Sequence, residues 1–351
     1  MTAKRRRGWP PALMGTAAVD LDEEGRLLVP GTRTPVPENR VAAHLARYLP
    51  VPERATDLYV YVHGWQTGAE AAGRAAGALL ARSAELYRTD PAAYPGLAHG
   101  YRPWCVVVRW PSSSLPSLSG YRRVRERAHA MSAPGRGQAA LVLAHLLGYL
   151  DATRGDPAGP PVLANRNGQY FHLVGHSFGG RFLCEALQHA AEGPATPPVL
   201  GWSQRAHPRR PFTADSALVF QMAAPRDAFA RHFPRLFAAA GHPGAPLRGP
   251  LVLTHSRWDR ATGFWHLRAE GRPGIGHTGV GEAPVHQFTT RLLPTDTPYP
   301  HDALDHPIVN VDAGEVFRGG LATRLAPAGS HSDFLHPESA HLLLSLAAYS
   351  R

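Results

Sequence analysis

Apolar residues along this chain come in short continuous runs, separated by stretches with helical spacing. The runs are Leu58 to Val62, Trp104 to Trp110, Gln169 to Val174, Ala217 to Met222, Pro250 to His255 and Ile308 to Val311. Runs this short, without polar alternation, predict strands buried on both faces. Helical patterns fall between and after them, across 69–88, 136–151, 179–191, 226–239 and 337–349. Such alternation predicts an α/β fold: a mostly parallel central sheet with helices on both faces and no clear helical cap domain.

The remaining segments read as connections. Residues 1–50 form an irregular lead-in with a short strand candidate at Arg26 to Val29. A Pro/Ser loop and a basic stretch follow Trp110, and a Pro-rich connection spans 192–213. The segment 263–307, rich in Gly, Pro and His, lacks helical periodicity and is expected to be a long loop insertion. No internal repeat or composition break argues for a second domain, so 51–351 is expected to form one.

The chemistry concentrates where one run ends. Tyr170-Phe171-His172-Leu173-Val174 leads into Gly175-His176-Ser177-Phe178-Gly179, and a helical pattern starts at once. A serine on a sharp strand-to-helix turn holds its hydroxyl above the sheet, and flanking glycines let strand and helix backbones approach. The helix directs its N-terminal N–H groups at any oxyanion formed beside the serine. The plain alternative is a Gly-rich turn with an incidental serine.

A nucleophilic serine needs a base, a group orienting the base, and oxyanion donors. His331, in the loop Ala328 to Asp333 before the last helix, is the chosen base, with His336 its rival. Asp259, four residues past the strand ending at His255, is the chosen acid. Asp227 is the runner-up, although the first turn of a helix suits it better as a dipole-compensating carboxylate; Asp312 is third. The backbone N–H groups of Phe178 and of Trp65, in His63-Gly64-Trp65, are the expected oxyanion donors. Trp258, Phe264 and Trp265, together with Trp65, are expected to line an apolar pocket, the alternative being that they only cover the core.

These residues resemble the α/β-hydrolase superfamily, in its lipase/esterase-like group with a Gly-His-Ser-x-Gly-Gly elbow. The resemblance spans roughly 57–349 and includes the chain order serine, acid, histidine. No Gly-Gly follows Gly64, so the oxyanion loop departs from the HGGG type. The resemblance implies an α/β-hydrolase fold and hydrolysis of a carboxylic ester or thioester by a Ser-His-Asp triad, with a small-molecule acyl ester as substrate. Acyl transfer, other triad-dependent chemistry and a non-catalytic binding role on the same fold remain as alternatives.

Composition changes this picture little. Hydrophobic residues make up 44% and charged residues 18% of the 351-residue chain, as in a globular protein with a sizeable core. The net charge of +10 is diffuse and largely arginine, apart from Lys4 to Arg7 and Arg122 to Arg127. Neither cluster lies in a recognisable nucleic-acid module, so a solvated basic surface is expected and no nucleic-acid partner. Cys105 and Cys184 sit inside apolar segments and read as buried small hydrophobes. No metal-ligand spacing appears among the twenty histidines, and neither a metal nor a cofactor is expected. No apolar run reaches the length of a membrane span, and Gly8 to Met14 is too short and Pro-broken for a signal sequence, so a cytoplasmic protein is expected.

Overall fold

The computed structural model describes residues 16–152, 169–192, 214–237, 247 and 249–351. Eight strands, β1 (Thr16–Asp20), β2 (Asp57–Val62), β3 (Pro103–Arg109), β4 (Tyr170–His176), β5 (Ser216–Phe220), β6 (Leu251–His255), β7 (Gln287–Arg291) and β8 (Ile308–Asp312), form one sheet. Their order is β1-β3-β2-β4-β5-β6-β8-β7, and every pair is parallel. An all-parallel sheet needs cover on both faces because its crossovers carry helices.

Side chains alternate between the two covers. Leu58, Val60, Val62, Phe171, Leu173 and Val219 pack with residues of α1 (Val41–Tyr48), α3 (Leu118–Ser132), α4 (Ala139–Ala152) and α5 (Phe178–Glu192). Tyr59, Tyr61, Val174, Leu218 and Phe220 face α2 (Ala69–Thr89) and the last helix, Pro337–Tyr349. Both residues of each neighbouring pair are buried, which is why these strands read as unbroken apolar runs. Cys105 and Cys184 are buried and unpaired.

The chain runs from β2 outward to β3 and then returns to the other side of β2 as β4. In an open parallel sheet, the carboxyl ends of the strands at such a reversal flank a natural ligand crevice. His63-Gly64-Trp65 leaves β2 there, and Ser177 leaves β4.

Several segments differ from expectation. The lead-in contributes edge strand β1 and helix α1, whereas Arg26–Val29 forms only isolated bridges, Leu21 to Leu27 and Leu28 to Pro35. β1 reads Thr-Ala-Ala-Val-Asp, too weakly apolar to stand out. The basic stretch is α3: Tyr121, Val124, Ala128 and Met131 bury one stripe while the arginines lie elsewhere, and the Ser117 hydroxyl caps it by accepting from Gly120 N–H at 3.1 Å. Across 226–239, one helical turn, Ala228–Arg231, precedes a 3-10 turn, Pro234–Leu236; Pro234 supplies no N–H and disfavours a helix before it. The supposed loop 263–307 holds β7 and short helices at His266–Glu270, Ile275–Thr278 and His301–Leu304. Lys4 to Arg7, Gly8 to Met14, the connection over 193–213 and the end of the 226–239 segment lie outside the described residues.

At the opposite end of the strands from Ser177, the start of β2 is tied down by charge. Buried Asp57 accepts from both terminal nitrogens of Arg351, at 3.1 and 2.8 Å, and lies 3.2 Å from His172 Nε2. Removing one partner of a buried pair leaves the other desolvated and uncompensated. Asp57→Ala is therefore expected to cost about 3–5 kcal/mol, read as a lowered urea midpoint with an unchanged denaturant slope.

Candidate active site

β4 ends in a turn that crosses tightly into α5. Ser177 adopts φ +57°, in the left-handed region that is rare for a residue with a side chain. A Cβ at Gly175 would lie 2.5 Å from Gly180 Cα, and one at Gly179 would overlap the carbonyl oxygens of Val62 and His63. A Cβ at Gly180 would run into Val219. Each small residue of the Gly-x-Ser-x-Gly-Gly stretch therefore meets a specific neighbour. The Ser177 N–H is held by the Phe220 carbonyl at 2.9 Å.

Two further loops converge on the hydroxyl. His331 Nδ1–H donates to Asp259 Oδ2 at 2.9 Å, which leaves Nε2 to accept from Ser177 Oγ–H at 2.6 Å. Relative exposure is 1% for Ser177, 8% for His331 and 0% for Asp259, so bulk water scarcely weakens these contacts. The second Asp259 oxygen accepts from the Thr262 N–H at 2.9 Å. Burial, the largest single influence, acts to raise the Asp259 pKa; His331 and Thr262 outweigh it, and the carboxyl is held below its ordinary value.

The Asp259 and His331 loops are also joined directly. Asp259 and Gly329 form an antiparallel bridge, and Ser330 N–H donates to Trp258 O at 3.0 Å. Gly329 has φ +60°, and a Cβ there would meet the Trp258 carbonyl, so this crossing also requires glycine.

The loop after β2 lies against the serine, since a Cβ at Gly64 would come within 2.9 Å of Ser177 Cβ. His63 Nδ1–H donates to Gly64 O at 3.0 Å while Nε2 faces Trp110 N–H at 3.3 Å, holding that loop against β3. Trp65 Nε1–H donates to Ser114 Oγ at 2.7 Å. Phe178 opens α5, so its N–H has no acceptor within the helix.

The rival residues are engaged elsewhere. Asp227 pairs with Arg231 and Arg272 at 2.6 and 2.5 Å. Asp312 accepts from Gly314 N–H, and His336 contacts Asp333 and stacks on Phe317. Arg257 and Arg324 both set their guanidinium groups over the Trp258 ring, which donates to Gly314 O. Phe264 is largely exposed beneath Arg268, and Trp265 donates to Pro327 O. These contacts assign the three aromatics to the packing of the 257–327 loops.

Two residues passed over in the sequence reach the His331 loop. His176 Nε2–H donates to the His331 carbonyl at 2.9 Å, and its ring packs against His331 and Phe334. Gln221, with φ +48°, donates from Nε2 to Ser330 O at 3.1 Å. A position inside Gly-x-Ser-x-Gly and a polar residue ending an apolar run were the only signals. Among the described residues, no cluster of three or more His, Cys, Asp or Glu is arranged to hold a metal ion, and no helix is long and apolar enough to cross a membrane.

Burial, then the neighbouring His331, pushes the His176 pKa from 6.5 down to about 3. Below pH 6.5 the unfolded chain takes up a proton that the folded chain refuses. Stability conferred by neutral His176 is thus complete above that pH and lost as pH falls toward about 3. Each unit in this window is worth about 1.4 kcal/mol. Urea midpoints from pH 7 to 4 should fall more steeply for the wild type than for His176→Asn, which retains a donor but does not titrate; equal slopes would refute this.

No family model matches the chain, and no curated protein does. Among solved structures it is similar to a metagenomic carboxyl esterase, with 13% identity and a TM-score of 0.31, over 93% of this chain and 82% of that one. At that distance the fold and the site stand on their own geometry.

Proposed function

We propose that the chain is a serine hydrolase of the α/β-hydrolase superfamily that cleaves a carboxylic ester through an acyl-enzyme on Ser177. The observation that carries this reading is His331 spanning Ser177 and Asp259 with its two ring nitrogens, at 2.6 and 2.9 Å. His331 takes the hydroxyl proton as Ser177 attacks the ester carbonyl, and ionised Asp259 stabilises the resulting imidazolium. The tetrahedral oxyanion rests on the Phe178 and Trp65 N–H groups. His331 returns the proton to the departing alcohol, then activates a water that releases the acid and frees Ser177. Each oxyanion donor is worth about 10²–10³ in rate.

Ser177→Ala should lower turnover of a small p-nitrophenyl ester by about 10⁴-fold or more and abolish labelling by a fluorophosphonate probe. A wild-type chain that neither turns over such esters nor takes the label sinks the proposal.

The acid assignment has its own test. Asp259→Asn should cost about 10³–10⁴ in kcat, because the amide stabilises the wrong histidine tautomer. The loss should far exceed that of Asp227→Asn, and the opposite ranking reassigns the acid.

A further inference from the structure

Where α3 meets the segment after Asp259, three buried polar atoms have no hydrogen-bond partner among the described residues: the Tyr121 hydroxyl, Thr262 Oγ1 and His266 Nε2; Gln221 Oε1 and Ser330 Oγ are likewise unpaired at the His331 loop. Buried polar groups are nearly always bonded, so three in one neighbourhood call for an explanation. Tyr121 lies on α3, and the other two on the segment that follows Asp259. The Tyr121 ring is edge-on to His266, with centroids 6.2 Å apart. Thr262 and His266 both border Gly274, where a Cβ would come within 3.2 Å of each.

The same tyrosine borders the reaction centre. Its ring packs on Phe178 at 4.7 Å and edge-on to Trp65 at 5.6 Å, the two residues whose N–H groups are the proposed oxyanion donors. His266 Nδ1–H donates to Arg272 O at 2.9 Å, so neutral His266 offers Nε2 as a bare acceptor. The nearest charged oxygen, Glu270 Oε1 at 3.5 Å from Nε2, is a carboxylate already paired with Arg181 at 2.7 Å and has no proton to give.

The Tyr121 O–H therefore lacks an acceptor, and His266 Nε2 lacks a donor. A hydroxyl, which both accepts and donates, is the functional group whose chemistry complements the two. We propose that Tyr121 and His266 form a specificity subsite for an ester that carries a free hydroxyl in addition to its scissile bond, with Thr262 Oγ1 as a further partner. The inference rests on the esterase reading above and names the substrate class for it.

A site built to bond a hydroxyl discriminates strongly against the analogue that lacks one. Two matched pairs probe it: p-nitrophenyl 4-hydroxybutyrate against p-nitrophenyl butyrate for the acyl side, and ethylene glycol monobutyrate against propyl butyrate for the alcohol side. The wild type should favour the hydroxylated member of one pair by about 10-fold or more in kcat/KM. Tyr121→Phe, which keeps the ring packing, and His266→Gln should each bring that ratio toward one, mainly through KM. Ratios near one in both pairs for the wild type overturn the proposal and leave the three atoms to buried water. A preference that persists in both variants overturns it as well. Absence of turnover on all four esters, with Ser177 unlabelled by fluorophosphonate, instead defeats the esterase reading and the subsite with it.

Discussion

The site depends on how closely β4 and α5 cross. A strand and a helix joined by one residue can meet at this angle only if their backbones touch, and the Gly175–Gly180 approach removes the side chains that would prevent it. The geometry forces Ser177 into the left-handed region, at a cost of about 1–3 kcal/mol for a residue with a Cβ. Surrounding structure must hold that strain, and it does so from three sides. Phe220 O accepts the serine N–H, Gly179 seats under the carbonyls of Val62 and His63, and Val219 closes against Gly180. The serine hydroxyl, held in this turn, meets His331 Nε2.

Electrostatics follow from the same compactness. Among the buried groups that meet at Ser177, Asp259 carries the full charge, and it is stabilised by directed hydrogen bonds rather than by solvent. Both neighbouring histidines, His63 and His176, have pKa values lowered chiefly by burial. They serve as neutral struts, His63 on the loop after β2 and His176 on the His331 carbonyl. A cation at either position would set a second positive partner beside the Asp259 carboxylate that His331 Nδ1–H bonds. With the struts neutral, the Asp259 carboxylate is paired with one imidazole ring, that of His331.

How much of this could be read from the sequence depended on how local each cause was. The six strands β2, β3, β4, β5, β6 and β8 were legible because burial on both faces removes polar alternation. β1 and β7 were not, since an edge strand such as Gln287–Arg291 is half solvated and carries little apolar signal. α3 was hidden by its arginines, which drew notice to charge and away from the Tyr121-Val124-Ala128-Met131 stripe. Ser177 and its glycines were legible because the elbow is a local device, and Asp259 and His331 because chain order limits which loops reach the carboxyl ends of β6 and β8. The supporting roles of His176 and Gln221 were not legible: each depends on a partner more than a hundred positions away, His331 and Ser330 respectively.

The bridge between Asp259 and Gly329 bears on how Asp259 and His331 are placed. Trp258, Asp259 and Arg260 are stitched to Ala328, Gly329 and Ser330. Everything between these two ends, including β7, β8 and the short helices around them, is an excursion that departs from and returns to one clamp. Asp259 and His331 are thus set relative to each other by a contact at Asp259 itself and two residues before His331, not by the length of the excursion between them, whose first turn still holds Asp259 through the Thr262 N–H.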